Sequence, residues 1–321
     1  MIPLSFHIIG TGSCHPEKRI TNDQLAEFLD TSDEWISTRT GIKERRVLTN
    51  EKVLDLAYEA SLAALENAGV GAEELDFIIF TTMLGDFITP SMSCLLSKRL
   101  GTVCTRVLDM NMACPGFIYA LDVADSMFKA GKAEKGLVVS AEAMSRIVDW
   151  TDRSTCVLFG DGAGAAVLAK GDGFKDAIFT VDGGYENLYV PIWDGNSPYA
   201  APAGQKAFLK MNGQEVYIFA VSSIMQQITA ILEKNGMTAD EPSFYILHQA
   251  NIRIIESARK KLNQPVDKFP VNLDRYGNTS SATVPMLLDE LNRQGRLKKG
   301  DKLVLCGFGA GLITGTCILE W

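Results

Sequence analysis

The sequence predicts an α/β protein made of two related α/β units, and three observations support this fold class. The first is length, because 321 residues exceed the needs of one small core and suit two fused units of roughly 150 residues each. The second is a set of continuous apolar runs, which are typical of strands buried on both faces and covered by helices: FIIF, LVVS, FYIL and KLVL. The third is an internal similarity.

The internal similarity relates residues 60–82 to residues 223–249. Each segment contains the pattern of an amphipathic helix, a glycine that would end the helix, an acidic turn and an apolar strand run. Gly69 corresponds to Gly236, and the separation of these two glycines, here called the duplication offset, aligns the two segments without a gap. We interpret this similarity as the duplication of one α/β unit.

The similarity extends to the strands that would complete each unit. Three further pairs of segments align, namely 135–142 with 301–308, 159–169 with 308–321, and 7–12 with 179–184. Glycine, aspartate and lysine interrupt the pattern in residues 169–177. We therefore predict an N-terminal half over residues 1–172 and a C-terminal half over residues 173–321.

Composition and charge exclude several classes of function. Apolar residues make up 46% and charged residues 22% of the chain, as in an ordinary globular protein. The formal net charge of −8 and the sequence pI of about 5.1 disfavour binding to nucleic acid or to an anionic membrane surface. The N-terminal residues lack the pattern of a secretory signal, and the chain has no run of about 18 apolar residues. We therefore expect a cytoplasmic enzyme that binds neither nucleic acid nor membrane.

Cysteine and histidine usage disfavours a disulfide framework and a metal centre. The seven cysteines are an odd number, and no two of them form a Cys-x-x-Cys pair. The three histidines, His7, His15 and His248, offer few imidazole ligands. We expect no bound metal.

One cysteine lies in a segment that favours reactivity. Cys114 precedes Pro115 and Gly116, and the apolar positions that follow have helical spacing. Pro115 suits the first helical position because it lacks an N–H group. A thiol at a helix N-terminus has a lowered pKa, and its own backbone N–H group could stabilise an oxyanion. The alternative is that Cys114 is a small buried apolar residue, as most free cysteines are.

Two residues of the second half are candidate partners for this thiol. His248 follows the buried run FYIL and precedes an amphipathic helix, where open α/β sheets place functional groups. Asn278 lies in the duplicate of the Cys114 segment, since the duplication offset also aligns Leu121 with Leu288. The alternatives are a core histidine with satisfied hydrogen bonds and a turn asparagine.

Three motifs resemble, in order and spacing, those of the β-ketoacyl-acyl carrier protein synthase III family of the thiolase-like superfamily: ACPGF, HQANIRI and GNTSSATVP. Further segments are similar to family blocks: IIGTGSCHP, TSDEWISTRTGIKERR, FGDGAGAAVL and GFGAGL. The resemblance covers nearly the whole chain. It implies a homodimer with the thiolase-like fold, in which duplicated α/β units form five layers in the order α-β-α-β-α.

The resemblance also implies a reaction in two halves. Cys114 would take the acyl group from an acyl-CoA primer, with the backbone amides of Cys114 and Ala310 as the oxyanion hole. Malonyl-acyl carrier protein would then lose CO2, and donors from His248 Nε2 and Asn278 would stabilise the enolate that attacks the acyl group. The product, β-ketoacyl-acyl carrier protein, would initiate fatty acid synthesis. The resemblance implies no cofactor, because coenzyme A enters as the substrate thioester.

The family pattern assigns further residues of this chain to contacts with substrates. The residues that would bind CoA are Thr31, Trp35, Arg39 and Arg153. The residues that would dock the acidic carrier protein are Arg253, Lys260 and Lys261. The residues that would border the acyl pocket are Thr89 and Leu312. Many family members have phenylalanine in place of Thr89 and Leu-Thr-Trp-Gly in place of LITG, so the chain length and branching of the primer stay open.

Other functions are compatible with part of these observations. A related acyltransferase or condensing enzyme of secondary metabolism would use acyl-Cys114 with another acceptor. A Cys-His-Asn hydrolase would release free acid from acyl-CoA. A non-catalytic acyl-binding or CoA-binding protein would not need the thiol. A nicotinamide oxidoreductase is disfavoured because GTGSCH lacks the third glycine of the dinucleotide fingerprint.

Overall fold

The computed structural model describes residues 4–103, 106–191 and 208–321. The thirteen strands in these ranges are β1 (Ser5–Cys14), β2 (Arg19–Thr21), β3 (Glu44–Arg46), β4 (Phe77–Thr81), β5 (Arg106–Met110), β6 (Lys135–Ala143), β7 (Asp161–Gly171), β8 (Phe174–Val181), β9 (Leu188–Tyr189), β10 (Lys210–Met211), β11 (Phe244–Leu247), β12 (Lys302–Gly309) and β13 (Ile313–Glu320). The nine α-helices in the same ranges are α1 (Asn22–Ala26), α2 (Asp33–Thr40), α3 (Val53–Ala68), α4 (Met92–Leu100), α5 (Gly116–Lys129), α6 (Gly213–Lys234), α7 (Ile252–Lys261), α8 (Leu273–Tyr276) and α9 (Thr283–Arg293).

Two sheets that share an arrangement of four strands form the frame, and the first has β5 as an additional edge strand. The first has the order β1-β7-β6-β4-β5, and the second has the order β8-β13-β12-β11. In the first sheet β1, β7 and β6 are antiparallel neighbours and β6 is parallel to β4. In the second sheet β8, β13 and β12 are antiparallel neighbours and β12 is parallel to β11. The predicted duplication of an α/β unit is therefore confirmed.

Strand pairing corrects one detail of the internal alignment. Gly136 on β6 pairs with Phe77, and Leu303 on β12 pairs with the equivalent Phe244. The duplication offset relates Gly136 to Leu303 as it relates Phe77 to Phe244, so the alignment of 135–142 with 301–308 is wrong by one residue. The difference matters because a shift of one residue exchanges the two faces of a strand.

The chain passes from the first sheet to the second within a short segment. β7 ends at Gly171 in the first sheet, and β8 begins at Phe174 in the second. The assignment of 1–172 and 173–321 as two domains stays a prediction, because α9 from the second range also packs against β1 and β7.

Helices cover both faces of both sheets. α3 packs on the outer face of the first sheet against residues such as Ile78. α6 and α7 lie together on the outer face of the second sheet. α5 and α9 lie between the sheets, where Phe117, Leu288 and Leu305 belong to one buried core. The predicted five-layer α-β-α-β-α order is confirmed.

The helix α6 is a core element. Among the described helices it is the one that is long and apolar enough to cross a membrane by length and composition. Its apolar face is already used within the fold, because Val216, Ile224, Ile228 and Ile231 are buried in the core beneath the second sheet.

The two central helices begin at equivalent positions. α5 starts at Gly116 and α9 at Thr283, and the duplication offset relates these two residues. A non-glycine residue with left-handed backbone precedes each helix: Ala113 has φ 46° and Ser280 has φ 52°. The same offset relates Ala113 to Ser280, and such a conformation costs about 1–3 kcal/mol for a residue other than glycine. The duplication thus places similar strained turns at the N-termini of both central helices.

We expect Leu305→Ala to lower the free energy of unfolding by about 2–5 kcal/mol, because Leu305 is fully buried between the sheets and its truncation leaves a cavity. Leu62→Ala is the matched control, since Leu62 on α3 is 38% exposed and its truncation should cost less than about 1 kcal/mol. Urea unfolding followed by circular dichroism measures both. Equal losses would contradict the place of Leu305 in the central core.

Candidate active site

Cys114 lies immediately before α5, between the two sheets. The helix begins at Gly116 with Pro115 as its N-cap residue, so Pro115 lies one residue earlier than predicted. The Gly116 N–H group donates to the Ala113 carbonyl at 3.0 Å, and the Ile118 N–H group donates to the Pro115 carbonyl at 2.9 Å. These bonds fix the backbone on both sides of Cys114, whose side chain is 8% exposed.

The pKa of the Cys114 thiol is raised, contrary to the expectation from the sequence. Burial is the largest cause of a rise in this pKa to about 12, and the Glu142 carboxylate adds to the rise. The hydrogen bond from Ser280 Oγ to Cys114 Sγ at 3.6 Å opposes both. The helix dipole alone would lower this pKa, but the buried environment penalises the thiolate more strongly. Cys114 is therefore a neutral thiol at neutral pH, and the nucleophile needs a base.

His248 follows β11 and is 2% exposed. Burial lowers the pKa of its imidazole to about 3, so the ring is neutral at neutral pH. Its Nδ1 atom lies 2.6 Å from Thr283 Oγ1. The Phe308 ring packs edge-on against the imidazole with 5.3 Å between ring centroids. Thr283 and Phe308 together fix the orientation of the ring.

Asn278 is 6% exposed, and hydrogen bonds hold its backbone on both sides. Its N–H group donates to the Leu158 carbonyl at 2.9 Å, and its carbonyl accepts from the Gly160 N–H group at 3.0 Å. Its side-chain Oδ1 accepts from the Ser280 N–H group at 2.8 Å. Because Oδ1 is engaged as an acceptor, the Nδ2 group is the part of the amide left to donate.

One turn, residues 278–283, brings the three predicted catalytic residues together. Ser280 Oγ contacts Cys114 Sγ. The Ser280 carbonyl accepts from Thr283 Oγ1 at 3.0 Å, and Thr283 Oγ1 in turn contacts His248 Nδ1. The 278–283 turn therefore connects a thiol from the first half of the chain to an imidazole and an amide from the second.

A buried carboxyl group anchors the 278–283 turn. Ser281 Oγ donates to Glu142 Oε1 at 2.6 Å, and the Met83 N–H group donates to Glu142 Oε2 at 3.0 Å. Glu142 is 1% exposed, and burial raises its pKa to about 7. Sequence analysis missed Glu142, and the signal that could have found it is an acidic residue within the apolar run LVVSAEA.

Ala310, the second predicted contributor to the oxyanion hole, follows a residue that touches the Cys114 backbone. A Cβ atom on Gly309 would lie 2.9 Å from the Cys114 backbone nitrogen and 3.0 Å from Pro115 Cδ. Only glycine permits this approach of β12 to the N-terminus of α5. The backbone beside Ala310 is therefore held against the Cys114 amide.

A cavity of about 400 Å³ lies next to the candidate catalytic residues. Leu158 is part of its wall, and the Leu158 carbonyl accepts a hydrogen bond from the Asn278 N–H group. Its wall contains three predicted residues, Trp35, Arg39 and Arg253. Its wall also contains residues that sequence analysis did not single out: Thr40, Ser154, Val157, Leu158, Gly213, Gln214, Tyr217 and Asn251. Asn251 had two sequence signals, its place in the motif HQANIRI and its position at the start of the helix that follows His248.

Two guanidinium groups lie over the ring of Trp35. The Cζ atoms of Arg39 and Arg153 are 4.6 Å and 5.2 Å from the ring centroid. Arg153 also pairs with Asp30, whose carboxylate oxygen lies 3.2 Å from its Nη1 atom. The Oγ1 atom of Thr31 is buried without a hydrogen-bond partner in the described part of the chain. The structure thus brings the four predicted CoA-binding residues into one region.

The predicted docking residues lie along α7. Arg253 is exposed at the cavity wall, and its guanidinium donates to the Thr38 carbonyl at 3.0 Å. Lys260 and Lys261 are exposed at the far end of the helix. Arg259, the residue before Lys260, forms an ion pair with Glu256, whose carboxylate lies 2.7 Å from its guanidinium.

The two predicted acyl-pocket residues have different environments. Thr89 is exposed on the loop between β4 and α4. Leu312 is 5% exposed in the turn between β12 and β13, and its carbonyl accepts from the Asp182 N–H group at 2.8 Å.

The described ranges contain neither a candidate metal site nor a disulfide. There, no group of three or more His, Cys, Asp or Glu side chains is placed to hold a metal ion. The cysteines in those ranges are free, and Cys104 lies outside the described residues.

We expect no thiolate signal from Cys114 between about pH 6 and 9, because the thiolate fraction rises with pH only on approaching a pKa of about 12. The measurement is the ultraviolet absorbance of thiolate, taken as the difference between wild type and Cys114→Ser. Peptide mapping after denaturing alkylation confirms that Cys114 is unmodified. An absorbance step near neutral pH would show that the helix dipole outweighs burial.

Comparisons with known proteins support the fold and identify the family. A family model described as 3-oxoacyl-[acyl-carrier-protein] synthase III matches residues 108–183, and the model of its C-terminal region matches residues 232–321. The β-ketoacyl-[acyl-carrier-protein] synthase III of Clostridium acetobutylicum is 45% identical over 321 residues, which cover 99% of each chain.

Solved structures give the same result. The crystal structure of 3-oxoacyl-[acyl-carrier-protein] synthase III from Aquifex aeolicus VF5 is 41% identical with a TM-score of 0.92, covering 98% of this chain and 100% of that one. The priming β-ketosynthase of the R1128 polyketide biosynthetic pathway is 34% identical with a TM-score of 0.94, covering 99% and 96%. The chain belongs to the 3-oxoacyl-[acyl-carrier-protein] synthase III family, as its motifs predicted.

Proposed function

We propose that this chain condenses an acyl-CoA primer with malonyl-acyl carrier protein through a thioester on Cys114. The observation that carries the proposal is the buried 278–283 turn, which begins with the amide donor Asn278 and contacts the Cys114 thiol through Ser280 and the neutral His248 imidazole through Thr283. Family membership makes the chain an acyltransferase of fatty acid synthesis and favours this acceptor over one of secondary metabolism.

In the first half of the reaction, Cys114 attacks the thioester carbonyl of acyl-CoA and CoA leaves as a thiol. The backbone amides of Cys114 and Ala310 stabilise the oxyanion that develops on the carbonyl. The contact of Gly309 with the Cys114 backbone supports this pairing, because it holds the two peptide segments side by side. Pro115 has no N–H group and contributes no donor.

In the second half, malonyl-acyl carrier protein loses CO2 and the resulting enolate attacks the acyl group on Cys114. His248 and Asn278 donate to the thioester oxygen as it gains negative charge. The engagement of Asn278 Oδ1 by the Ser280 N–H group supports this role, since it turns the amide so that its NH2 group is the available side. Asn278 stays neutral at every pH, so its donor cannot be lost by titration.

CoA binds in the cavity beside Leu158. Trp35 and Arg153 hold the adenine between them, and Arg39 binds phosphate. In the structure Arg153 lies over the Trp35 ring itself, so adenine binding requires its guanidinium to swing away from that ring. Thr31 supplies a hydroxyl at the border of the same cleft, where its buried Oγ1 lacks a partner within the described chain.

The carrier protein docks on α7. The chain carries a net charge of −8, so an acidic partner must meet a local positive surface. Arg253 marks the cavity entrance, and Lys260 and Lys261 extend the positive surface along the helix. Both lysines are exposed, so their ammonium groups are accessible to the partner.

The active enzyme is a homodimer, and Thr89 and Leu312 shape the acyl pocket. β5 is an edge strand of the first sheet and offers its free edge to a second copy. The exposed loop that carries Thr89 also presents Phe87 and Ile88 to solvent, as a contact surface for that copy would. The enzyme works in the cytoplasm and uses no cofactor, since CoA is part of its substrate.

We expect wild type, but not Cys114→Ser, to gain the mass of one acyl group when mixed with its acyl-CoA primer. Intact-protein mass spectrometry with acyl-CoAs from acetyl to decanoyl, straight and branched, identifies the primer. Addition of malonyl-acyl carrier protein should remove the adduct and yield β-ketoacyl-acyl carrier protein.

Each alternative function gives a different result in this experiment. Steady release of free acid without an acceptor would indicate a hydrolase. An adduct that malonyl-acyl carrier protein cannot discharge would indicate another acceptor. Unlabelled Cys114 with every acyl-CoA would contradict the proposal.

We expect Lys260→Glu to raise the KM for malonyl-acyl carrier protein about tenfold with little change in the KM for acyl-CoA, because a rim charge steers the partner without touching the cavity. Lys132→Glu is the control, since Lys132 is an exposed lysine beyond the C-terminus of α5, at the opposite end of that helix from Cys114. Steady-state kinetics at two salt concentrations measure both variants. Equal effects of the two changes would argue against docking on α7.

A further inference from the structure

Thr283 is the first residue of α9. Its hydroxyl group has one proton but contacts two polar groups, the His248 imidazole and the Ser280 carbonyl. Its Oγ1 atom lies 2.6 Å from His248 Nδ1 and 3.0 Å from the Ser280 carbonyl oxygen. Thr283 and His248 are each 2% exposed, and Ser280 is fully buried. The three groups must therefore satisfy one another's hydrogen bonds.

The direction of these bonds determines where the imidazole carries its proton. A carbonyl oxygen can only accept, whereas a hydroxyl can donate one bond and accept others. If the Thr283 hydroxyl donates to Ser280, its oxygen accepts from His248 and Nδ1 must carry the hydrogen. A neutral imidazole carries one hydrogen, so Nε2 then has a free lone pair.

The reverse arrangement is available at a modest cost. The Ser280 carbonyl also accepts from the backbone N–H group of Thr283, so it keeps one partner when the hydroxyl turns away. The hydroxyl can then donate to Nδ1, and the ring hydrogen resides on Nε2. The hydroxyl oxygen would face the carbonyl oxygen at 3.0 Å with no proton between them, which disfavours this arrangement in the resting enzyme.

We propose that Thr283 is a positioning residue that selects the tautomer of His248: in the free enzyme its hydroxyl accepts from Nδ1–H and keeps Nε2 unprotonated, as the base for the Cys114 thiol. This inference rests on the proposed function. Thr283 lies within the motif GNTSSATVP, but it is not among the predicted catalytic residues.

The acylation step balances with the groups at hand. The thiol proton of Cys114 moves to His248 Nε2 while the sulfur bonds to the acyl carbon. The CoA sulfur leaves with the electron pair of its bond to that carbon and then takes the proton from Nε2. The ring returns to the neutral Nδ1–H form, and the products are acyl-Cys114 and CoA thiol.

The condensation step needs the opposite tautomer, and the same hydroxyl provides it. Rotation of the Thr283 hydroxyl toward Nδ1 stabilises the form of His248 that carries its hydrogen on Nε2, the donor required by the enolate. The ring releases its Nδ1 proton to water and takes a proton from water at Nε2, so both tautomers hold the same number of protons and the change consumes no reactant. A side chain that can only donate or only accept could support one half of the reaction, whereas threonine supports both.

The tautomer can be measured directly in the wild-type protein. Labelling with 15N-histidine gives three imidazole spin systems, from His7, His15 and His248, and His248→Gln identifies the one of interest. Two-bond proton–nitrogen correlation spectra distinguish a protonated ring nitrogen from an unprotonated one. We expect the hydrogen on Nδ1 in the free enzyme at neutral pH. A hydrogen on Nε2 in the free enzyme would overturn the proposal.

Two variants separate the hydroxyl from the shape of the side chain. Thr283→Val keeps the branched shape and removes the hydroxyl, and we expect it to slow acylation of Cys114 by about a hundredfold, the low end of what a positioned base contributes. Thr283→Ser keeps the hydroxyl, and we expect acylation within about threefold of wild type, since a serine hydroxyl donates and accepts in the same way. Time-resolved intact-protein mass spectrometry with an acyl-CoA that labels wild type measures both rates, and thermal unfolding reports whether each variant is folded.

The outcomes distinguish this inference from the proposed function. If no acyl-CoA labels wild type, the proposed function fails and this inference fails with it. If wild type is labelled and Thr283→Val is labelled at the same rate, only the role of Thr283 fails. If Thr283→Val does not fold, the test rests on the His248 tautomer in wild type and on the acylation rate of Thr283→Ser. A hydrogen on Nδ1 together with a retained acylation rate supports the proposal. A hydrogen on Nε2, or loss of acylation in Thr283→Ser, overturns it.

Discussion

The N-termini of the two central helices contact each other between the sheets, and the site depends on that contact. A Cβ atom on Gly116, at the start of α5, would lie 3.3 Å from the Ser281 Cβ atom, so the two turns pack at the limit of close approach. Each turn contains a left-handed residue, Ala113 or Ser280, at an equivalent position of the duplication. Ser280, with its left-handed backbone, contacts Cys114 through its hydroxyl and Thr283 through its carbonyl oxygen. One duplicated turn supplies the thiol, and its copy supplies the hydroxyls around it.

Burial decides the electrostatics of the site. Cys114 and His248 both lie in surroundings that penalise charge, which raises the pKa of the thiol and lowers the pKa of the imidazole. In the resting enzyme the thiol is therefore protonated and the imidazole is neutral. In such surroundings a hydrogen bond to a developing negative charge is stronger than the same bond in water. An oxyanion hole and an enolate-binding site both depend on such bonds.

Because the site is buried, the polar groups that hold the 278–283 turn in place must themselves be hydrogen-bonded. The Glu142 carboxyl group is buried with Ser281, Met83 and Thr82 as hydrogen-bond donors, and it ties the 278–283 turn to the end of the strand β4. A buried carboxyl group without such partners would cost several kcal/mol, roughly the range seen for unpaired polar groups. Glu142 thus stabilises the turn that positions His248 and Asn278, from a place in the first half of the chain.

Much of the fold could be predicted from the sequence, because the duplication repeats at one offset and the buried strands are continuous apolar runs. Cys114, His248 and Asn278 could be named because each lies in a distinctive local motif. The roles of Thr283 and Glu142 could not, since they arise from contacts between residues far apart in the chain. The direction of the Cys114 pKa shift was predicted wrongly for the same reason: the helix dipole is a local property, whereas burial depends on how both sheets enclose the site.

The most direct test of this account is a crystal structure of the enzyme after incubation with its acyl-CoA primer and without malonyl-acyl carrier protein. The account predicts continuous density from Cys114 Sγ into an acyl group, with the carbonyl oxygen about 2.7–3.1 Å from the backbone nitrogens of Cys114 and Ala310, the range for an oxyanion hole. His248 Nε2 and Asn278 Nδ2 should then face the space left for the malonyl thioester. An acyl group on any other atom, or a thioester carbonyl directed at His248 and Asn278 instead of the two amides, would contradict it.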